Sequence, residues 1–249
     1  MKRNKLIVTT SWDDTSRIDL KLCELLENYR IKATFYAISN WIGKKISADE
    51  LRHISGGHEV GAHTLSHAML TCVGKEVAKE EILGSKTSLE RILGKRVTSF
   101  AYPYGAYRRE HVEIVGEAGF LCARTTKLYF TKIENPFETN ITMLAAPHGV
   151  RDFEGLTRLF RQTPKTIFKL YALKKWNKLG KMMFDSFLKR GGVFHIFGHA
   201  WVIDQYKSWA RLEDLLAYIA FRNNLKYLTV TDCVKKSQEN GDRGVKNAT

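Results

Sequence analysis

Short runs of β-branched and aromatic residues alternate along this chain with longer amphipathic runs, and that alternation admits few folds. Strand-like stretches fall at Leu6–Trp12, Thr34–Ile38, Glu59–His63, Ser99–Tyr102, Leu121–Thr125, Val193–Phe197 and Tyr227–Val230. Helix-like stretches lie between them at Ile18–Tyr29, Lys75–Leu93, Arg108–Ala118 and Ser208–Asn223. Strands separated by crossover helices predict an α/β architecture built on a parallel sheet or barrel. No repeat or Pro/Gly/Ser-rich linker interrupts the 249 residues, so one domain is expected over residues 1–235, followed by a polar, frayed tail over 236–249. Residues 127–149 are irregular, with a short strand at Met143–Ala146.

The apolar runs are far shorter than the roughly 20 residues a spanning helix needs. The basic start passes directly into a polar motif, unlike a signal peptide, which makes the cytoplasm the expected location. Cys23, Cys72, Cys122 and Cys233 are dispersed, with no C-x-x-C pair, and are expected as free thiols. The net charge of +14 is unevenly placed. Between Gly155 and Arg190, ten Lys or Arg face Asp185 alone, a net +9. Residues 153–190 therefore look like a basic, amphipathic helical insertion, divided at Pro164. Its expected form is a set of barrel-covering helices with a solvated cationic face. The sharper alternative is peripheral docking on an anionic membrane. No nucleic-acid recognition motif accompanies the charge.

In barrels and open α/β sheets functional groups gather at the C-terminal ends of strands. Here those ends carry Trp12-Asp13-Asp14, His63-Thr64-Leu65-Ser66-His67, Tyr102-Pro103-Tyr104-Gly105 and Gly198-His199-Ala200-Trp201. Four-residue spacing would stack His63 and His67 on one helical turn, where two imidazoles can share a cation. Two imidazoles and a carboxylate with open positions suit a catalytic Zn²⁺, and Fe²⁺, Co²⁺ or Ni²⁺ fit the same donors. The spacing alone is weak, because His195 and His199 repeat it. Taken without the histidines, Asp13 and Asp14 read better as caps of the following helix.

The ordered combination resembles the polysaccharide deacetylase family, the NodB-homology carbohydrate esterases. Ser11-Trp12-Asp13-Asp14-Thr15 is similar to its Thr-Phe-Asp-Asp-Gly motif, His63 to His67 to its His-(Ser/Thr)-x-x-His motif, Tyr102 to Gly105 to the end of Arg-Pro-Pro-Tyr-Gly, and Phe197-Gly198-His199 to Leu-x-His. The resemblance implies a distorted (β/α) barrel and a metal-dependent hydrolase that removes an N-acetyl group from an amino sugar of a glycan or glycolipid. It implies Asp14, His63 and His67 as metal ligands, Asp13 as general base, His199 as general acid, and the backbone N–H of Tyr104, after Pro103, as oxyanion donor. A metal lowers the pKa of its water, a neighbouring carboxylate can take the proton, and an imidazolium can protonate the leaving amine. Along β geometry His195, Phe197 and His199 share a face; His199 is nearer the chemical end, leaving His195 as a hydrogen-bonded core histidine. His58 and His148 read as structural or substrate-lining, His53 and His111 as exposed.

Two departures mark a divergent member. The motif arginine that pairs with the base is replaced by Ala101, with Arg124 as its candidate substitute, and the fourth motif, Asp-x-x-Asp-Trp, is not found. Trp12, Tyr102, Tyr107 and Trp201 are candidates to stack on a sugar ring. The rival expectations are an allantoinase-like cyclic amide hydrolase and a catalytically dead glycan-binding module.

Overall fold

Strand β1 (Leu6–Asp13) is buried at all eight positions, which demands cover on both faces. The computed structural model describes residues 6–128, 132–146, 175–223 and 225–246. Within them β1 is joined by β2 (Ala33–Ala37), β3 (Glu59–Ala62), β4 (Ser99–Ala101), β5 (Cys122–Arg124), β6 (Met143–Leu144), β7 (Gly192–Gly198) and β8 (Lys226–Leu228). All named pairings are parallel, in the order β5-β4-β3-β2-β1-β7-β6, with β8 paired to the first half of β1. The stretch from Thr139 to Ala145 joins the two edges. Thr139 N–H donates to Ala123 O at 2.8 Å on the β5 side, and Thr142 and Ala145 N–H donate to His195 and Phe197 O on the β7 side at 2.9 and 2.7 Å. The result is the expected distorted (β/α) barrel.

Helices α1 (Asp19–Asn28), α2 (Ala48–Gly57), α3 (Lys75–Leu93), α4 (Arg109–Glu117), α5 (Trp176–Arg190), α6 (Ala200–Gln205), α7 (Trp209–Ile219) and α8 (Val230–Lys246) accompany the strands. Helix α3 matches its expected limits, and Gly94 ends it in the left-handed conformation (φ 66°) that glycine adopts without penalty. Helix α2 was not anticipated, although Ser47-Ala-Asp-Glu50 spells a capping box: Ser47 Oγ accepts from Glu50 N at 3.1 Å while Ser47 N donates to Glu50 Oε2 at 2.8 Å. Helix α8 carries the chain to Lys246, so the polar stretch expected to fray is helical through that residue.

Residues 153–174 of the basic segment, with Pro164, lie outside the described residues, as does His148. The remainder forms α5, whose Leu179, Met183, Phe184 and Phe187 are buried while Lys178, Lys189 and Arg190 face outward. Phe194 of β7 meets Phe184 and Phe187 edge-on, with centroids 5.5 and 5.4 Å away. Each such ring contributes about 1.5–3 kcal/mol by leaving water. The apolar face of α5 is thus consumed by the barrel. No helix among the described residues is long and apolar enough to cross a membrane. The four cysteines are free thiols, and three of them are buried.

Candidate active site

Strand alternation would send Asp13 and Asp14 to opposite faces. Asp14 instead adopts φ 62°, and both carboxylates turn toward one imidazole. His63 Nε2 lies 3.5 Å from Asp13 Oδ2 and 3.9 Å from Asp14 Oδ1. His67 Nε2 lies 3.5 Å from Asp14 Oδ1. The two histidines do not share a helical turn as the spacing predicted. They stand on a loop after β3, where Thr64 (φ 63°) and His67 (φ 66°) reverse the chain and bring the rings to 4.8 Å. Tyr104 (φ 59°), after β4, is left-handed too. Four of the seven non-glycine residues with positive φ among the described residues therefore line this one place. Such conformations cost on the order of 1–2 kcal/mol each and concentrate where geometry serves function.

The protonation pattern fits a cation site. His63 Nδ1 is 2.8 Å from the Ala101 carbonyl, which can only accept, so Nδ1 carries the hydrogen and the Nε2 lone pair faces the space it shares with the carboxylates. Burial, partly opposed by Asp13, pushes the His63 pKa down and keeps the ring neutral at pH 7. Asp14 Oδ1 is buried and has no hydrogen-bond partner. An orphaned carboxylate oxygen between two Nε2 atoms is a costly arrangement on its own and an apt one for a divalent cation. A second group, Cys23, Glu27 and His58, has the right atom types, but Ala33 N–H donates to His58 Nδ1 at 3.2 Å. That places the His58 proton on Nε2, facing the cluster, where a ligand would need a lone pair. His58 is structural.

His199 closes the far side, with Nε2 3.8 Å from Asp14 Oδ2. Its ring stands between Phe197 and Trp201, with centroids at 5.2 and 5.5 Å. His195 is the core histidine expected: Nδ1–H donates to Asn140 O at 3.2 Å and Nε2 accepts from Ser11 Oγ at 2.8 Å, so neither nitrogen is left for chemistry. Tyr104 is 61% exposed, its ring 4.6 Å from that of His67, and Trp201 is 44% exposed.

Three expectations need correction. Trp12 cannot stack on a sugar: it is fully buried, its Nε1 donates to Thr10 Oγ1 at 3.1 Å, and its ring fills the space where Gly198 lacks a Cβ. Tyr102 is likewise buried and stacks on Tyr107 at 4.6 Å. His111 is buried, not exposed, because its Nδ1 accepts the Arg108 N–H at 2.8 Å at the start of α4. Pro103 is buried and begins the short 3₁₀ turn that presents Tyr104. One group went unnoticed in the sequence. Asp19, in the first turn of α1, is buried behind the site and holds Ser16 N–H at 2.9 Å; burial drives its pKa up to about 8. In sequence it looks like any first-turn acid.

Residues 1–123 match the polysaccharide deacetylase family. That match spans just under half of the chain. It is 26% identical over 120 residues to a peptidoglycan-N-acetylglucosamine deacetylase of Bacillus cereus, a match covering 47% of this chain and 43% of that one. A similar match, 27% over 103 residues, reaches the uncharacterized protein YlxY of Bacillus subtilis, covering 39% of this chain and 30% of that one. The chain thus spans less than half the length of these relatives. In fold it superposes on a putative polysaccharide deacetylase from Mycobacterium smegmatis with a TM-score of 0.71 at 14% identity, covering 97% and 93% of the two chains. Peptidoglycan deacetylase PdaC from Bacillus subtilis superposes with a TM-score of 0.61 at 16% identity over 100% and 99%.

The motif arginine that the sequence lacks has a structural answer. Ala101 and Arg124 are register partners on β4 and β5, so a side chain at either position leaves the sheet on the same face. The Arg124 guanidinium, buried completely, forms an ion pair with Asp13 and lies 5.1 Å from the Tyr36 ring and 4.5 Å from the Phe197 ring. Burial pushes the Asp13 pKa up, but Arg124, with His63 and His199, outweighs it and holds the carboxyl below its ordinary value. Arg124, one strand away from Ala101, thus pairs with Asp13, the carboxylate for which a motif arginine was expected.

Proposed function

We propose that this chain is a metal-dependent hydrolase that removes an N-acetyl group from an amino sugar of a glycan or glycoconjugate. The observation that carries the reading is the orphaned Asp14 Oδ1 beside the Nε2 atoms of His63 and His67, next to an arginine-paired Asp13. The match of residues 1–123 to the polysaccharide deacetylase family and the similarity to a peptidoglycan-N-acetylglucosamine deacetylase support the substrate class.

Asp14, His63 and His67 would hold the cation; when bound, a divalent metal supplies Lewis-acid polarisation and lowers the pKa of nearby water, and Zn²⁺ suits the two-imidazole, one-carboxylate donor set. Asp13, kept ionised by Arg124, accepts the proton of the attacking water. Water oxygen bonds to the acetyl carbon, and the backbone N–H of Tyr104 donates to the developing oxyanion. His199, across the site from Asp13, gives a proton to the departing nitrogen as the C–N bond breaks, releasing acetate and a free amine. The exposed rings of Tyr104 and Trp201 flank the opening and offer apolar faces to a sugar.

Acetate release from N-acetylglucosamine oligomers and peptidoglycan fragments, measured with added Zn²⁺ and after chelation, tests the reading. Release that chelation abolishes and metal restores is expected. A metal-loaded protein that frees no acetate from any N-acetylated glycan overturns it, and ring opening of a cyclic ureide in parallel would replace it with the allantoinase-like activity.

A further inference from the structure

We infer that Trp201 is a positioning residue for the metal ligand Asp14: its indole N–H occupies Oδ2 and leaves Oδ1 as the single oxygen offered to a cation. The inference rests on the proposed metal site and adds a residue to it.

The two oxygens of Asp14 have different surroundings. Oδ2 accepts the Trp201 Nε1–H at 3.2 Å and lies on the side of His199, 3.8 Å from its Nε2. Oδ1 lies on the side of His67 and His63, at 3.5 and 3.9 Å, buried and without a hydrogen bond. A free carboxylate can present both oxygens to one ion. Here one oxygen is already engaged by a hydrogen bond to a charged acceptor, stronger than a neutral pair. A one-oxygen ligand also leaves more of the coordination sphere open, which catalysis requires.

Tryptophan suits this position for a chemical reason. Indole N–H donates and does not accept, so it can orient the carboxylate without competing for the cation, as a histidine or carboxylate there would. Placement follows from the chain. His199 precedes α6, and Trp201 is in its first turn, so one short segment sets both the proposed acid and the group that orients the ligand. The Trp201 ring meets His199 edge-on at 61°, bracing it against the opposite contact with Phe197.

Calorimetric titration of the full chain with Zn²⁺ and with Co²⁺ tests this on wild type, Trp201→Phe, Trp201→Leu and Trp41→Phe. Trp41 is a control: its ring is 6.4 Å from that of His67. Both Trp201 variants are expected to bind Zn²⁺ about 10–100-fold more weakly, the usual loss when an outer hydrogen bond to a metal ligand is removed. The visible Co²⁺ spectrum should change in them and remain as wild type in Trp41→Phe. Because Trp201 is 44% exposed, metal-free melting temperatures should stay close to wild type. Wild-type affinity and an unaltered Co²⁺ spectrum in the Trp201 variants would overturn the inference and leave the metal site standing. A wild-type chain that binds neither metal would overturn the proposed function, and this inference with it.

Discussion

Arg124 and Asp13, 111 positions apart in the chain, form a buried ion pair at the C-terminal rim of the barrel. The two come from β5 and β1, which other strands separate within the sheet, so the pair spans the barrel mouth. An isolated buried charge is very costly, and each partner is tolerable only because the other is present.

Removing either partner should therefore destabilise the protein by about 3–5 kcal/mol, whereas Asp13→Asn/Arg124→Met should cost much less than the sum of the singles. Chemical denaturation of the four proteins measures this. Strict additivity would mean that the two charges do not compensate each other.

Turnover separates from stability in the same set. The double variant should fold yet stay inactive, since nothing remains to accept a proton; general-base losses are typically about 10²–10⁴-fold. Zn²⁺ affinity should survive in it, because Asp14, His63 and His67 are untouched. Activity near wild type would remove Asp13 as the base.

Asp19 gives a prediction independent of chemistry. Its pKa is raised to about 8 by burial, against an ordinary 3.8. Between those values the unfolded chain is ionised while the folded one holds its proton, so stability contributed by this group falls as pH rises. Asp19→Asn keeps an acceptor for Ser16 N–H and does not titrate. Relative to wild type it should gain about 1.4 kcal/mol per pH unit between roughly pH 4 and pH 8, with little difference at the acid end. Equal stability at all pH values would show that Asp19 titrates normally.

Close approach makes Gly61 a further test. A Cβ there would stand 2.5 Å from the Tyr36 ring and 2.9 Å from the Ser99 carbonyl oxygen, and the backbone contact cannot yield easily. Gly61→Ala should lower stability by about 1–3 kcal/mol, the usual range for overpacking, as read from thermal or denaturant unfolding. A neutral effect would mean that β3 and β4 separate freely.

Residues that chemistry restricts were the legible ones. Asp13, Asp14, His63, His67 and His199, which the structure gathers at one place, could be singled out because their motifs close successive strands in one order, and Arg124 was reachable because it too closes a strand. What stayed hidden depends on backbone conformations that no local pattern encodes. The left-handed turns at Asp14, Thr64 and His67 replaced an expected helical turn with a loop, yet brought the same atoms together. Aromatic residues were the least legible: Trp12 and Trp201 are both next to or near an acidic or imidazole motif, and only the three-dimensional course puts one under the sheet and the other at the mouth. Helix α2 was missed for a different reason, since its capping box was present and its apolar periodicity spans only ten residues.

His195 links the buried polar interior to acid sensitivity. Its pKa is pushed down to about 3, mainly by burial and then by the Arg124 charge, while an unfolded histidine titrates near 6.5. Below pH 6.5 the unfolded chain takes up a proton that the folded one refuses, so stability is lost as pH falls from about 6.5 toward 3, by about 1.4 kcal/mol per unit for this group alone. His195→Asn should lower stability at pH 7, because the Asn140 and Ser11 contacts change, but it should also flatten the acid slope by about one proton. Denaturant unfolding at pH 4.5, 5.5 and 6.5 gives that slope directly. An undiminished slope would mean that the proton is taken up elsewhere, with His58, whose pKa is pushed down to about 4, the next group to replace.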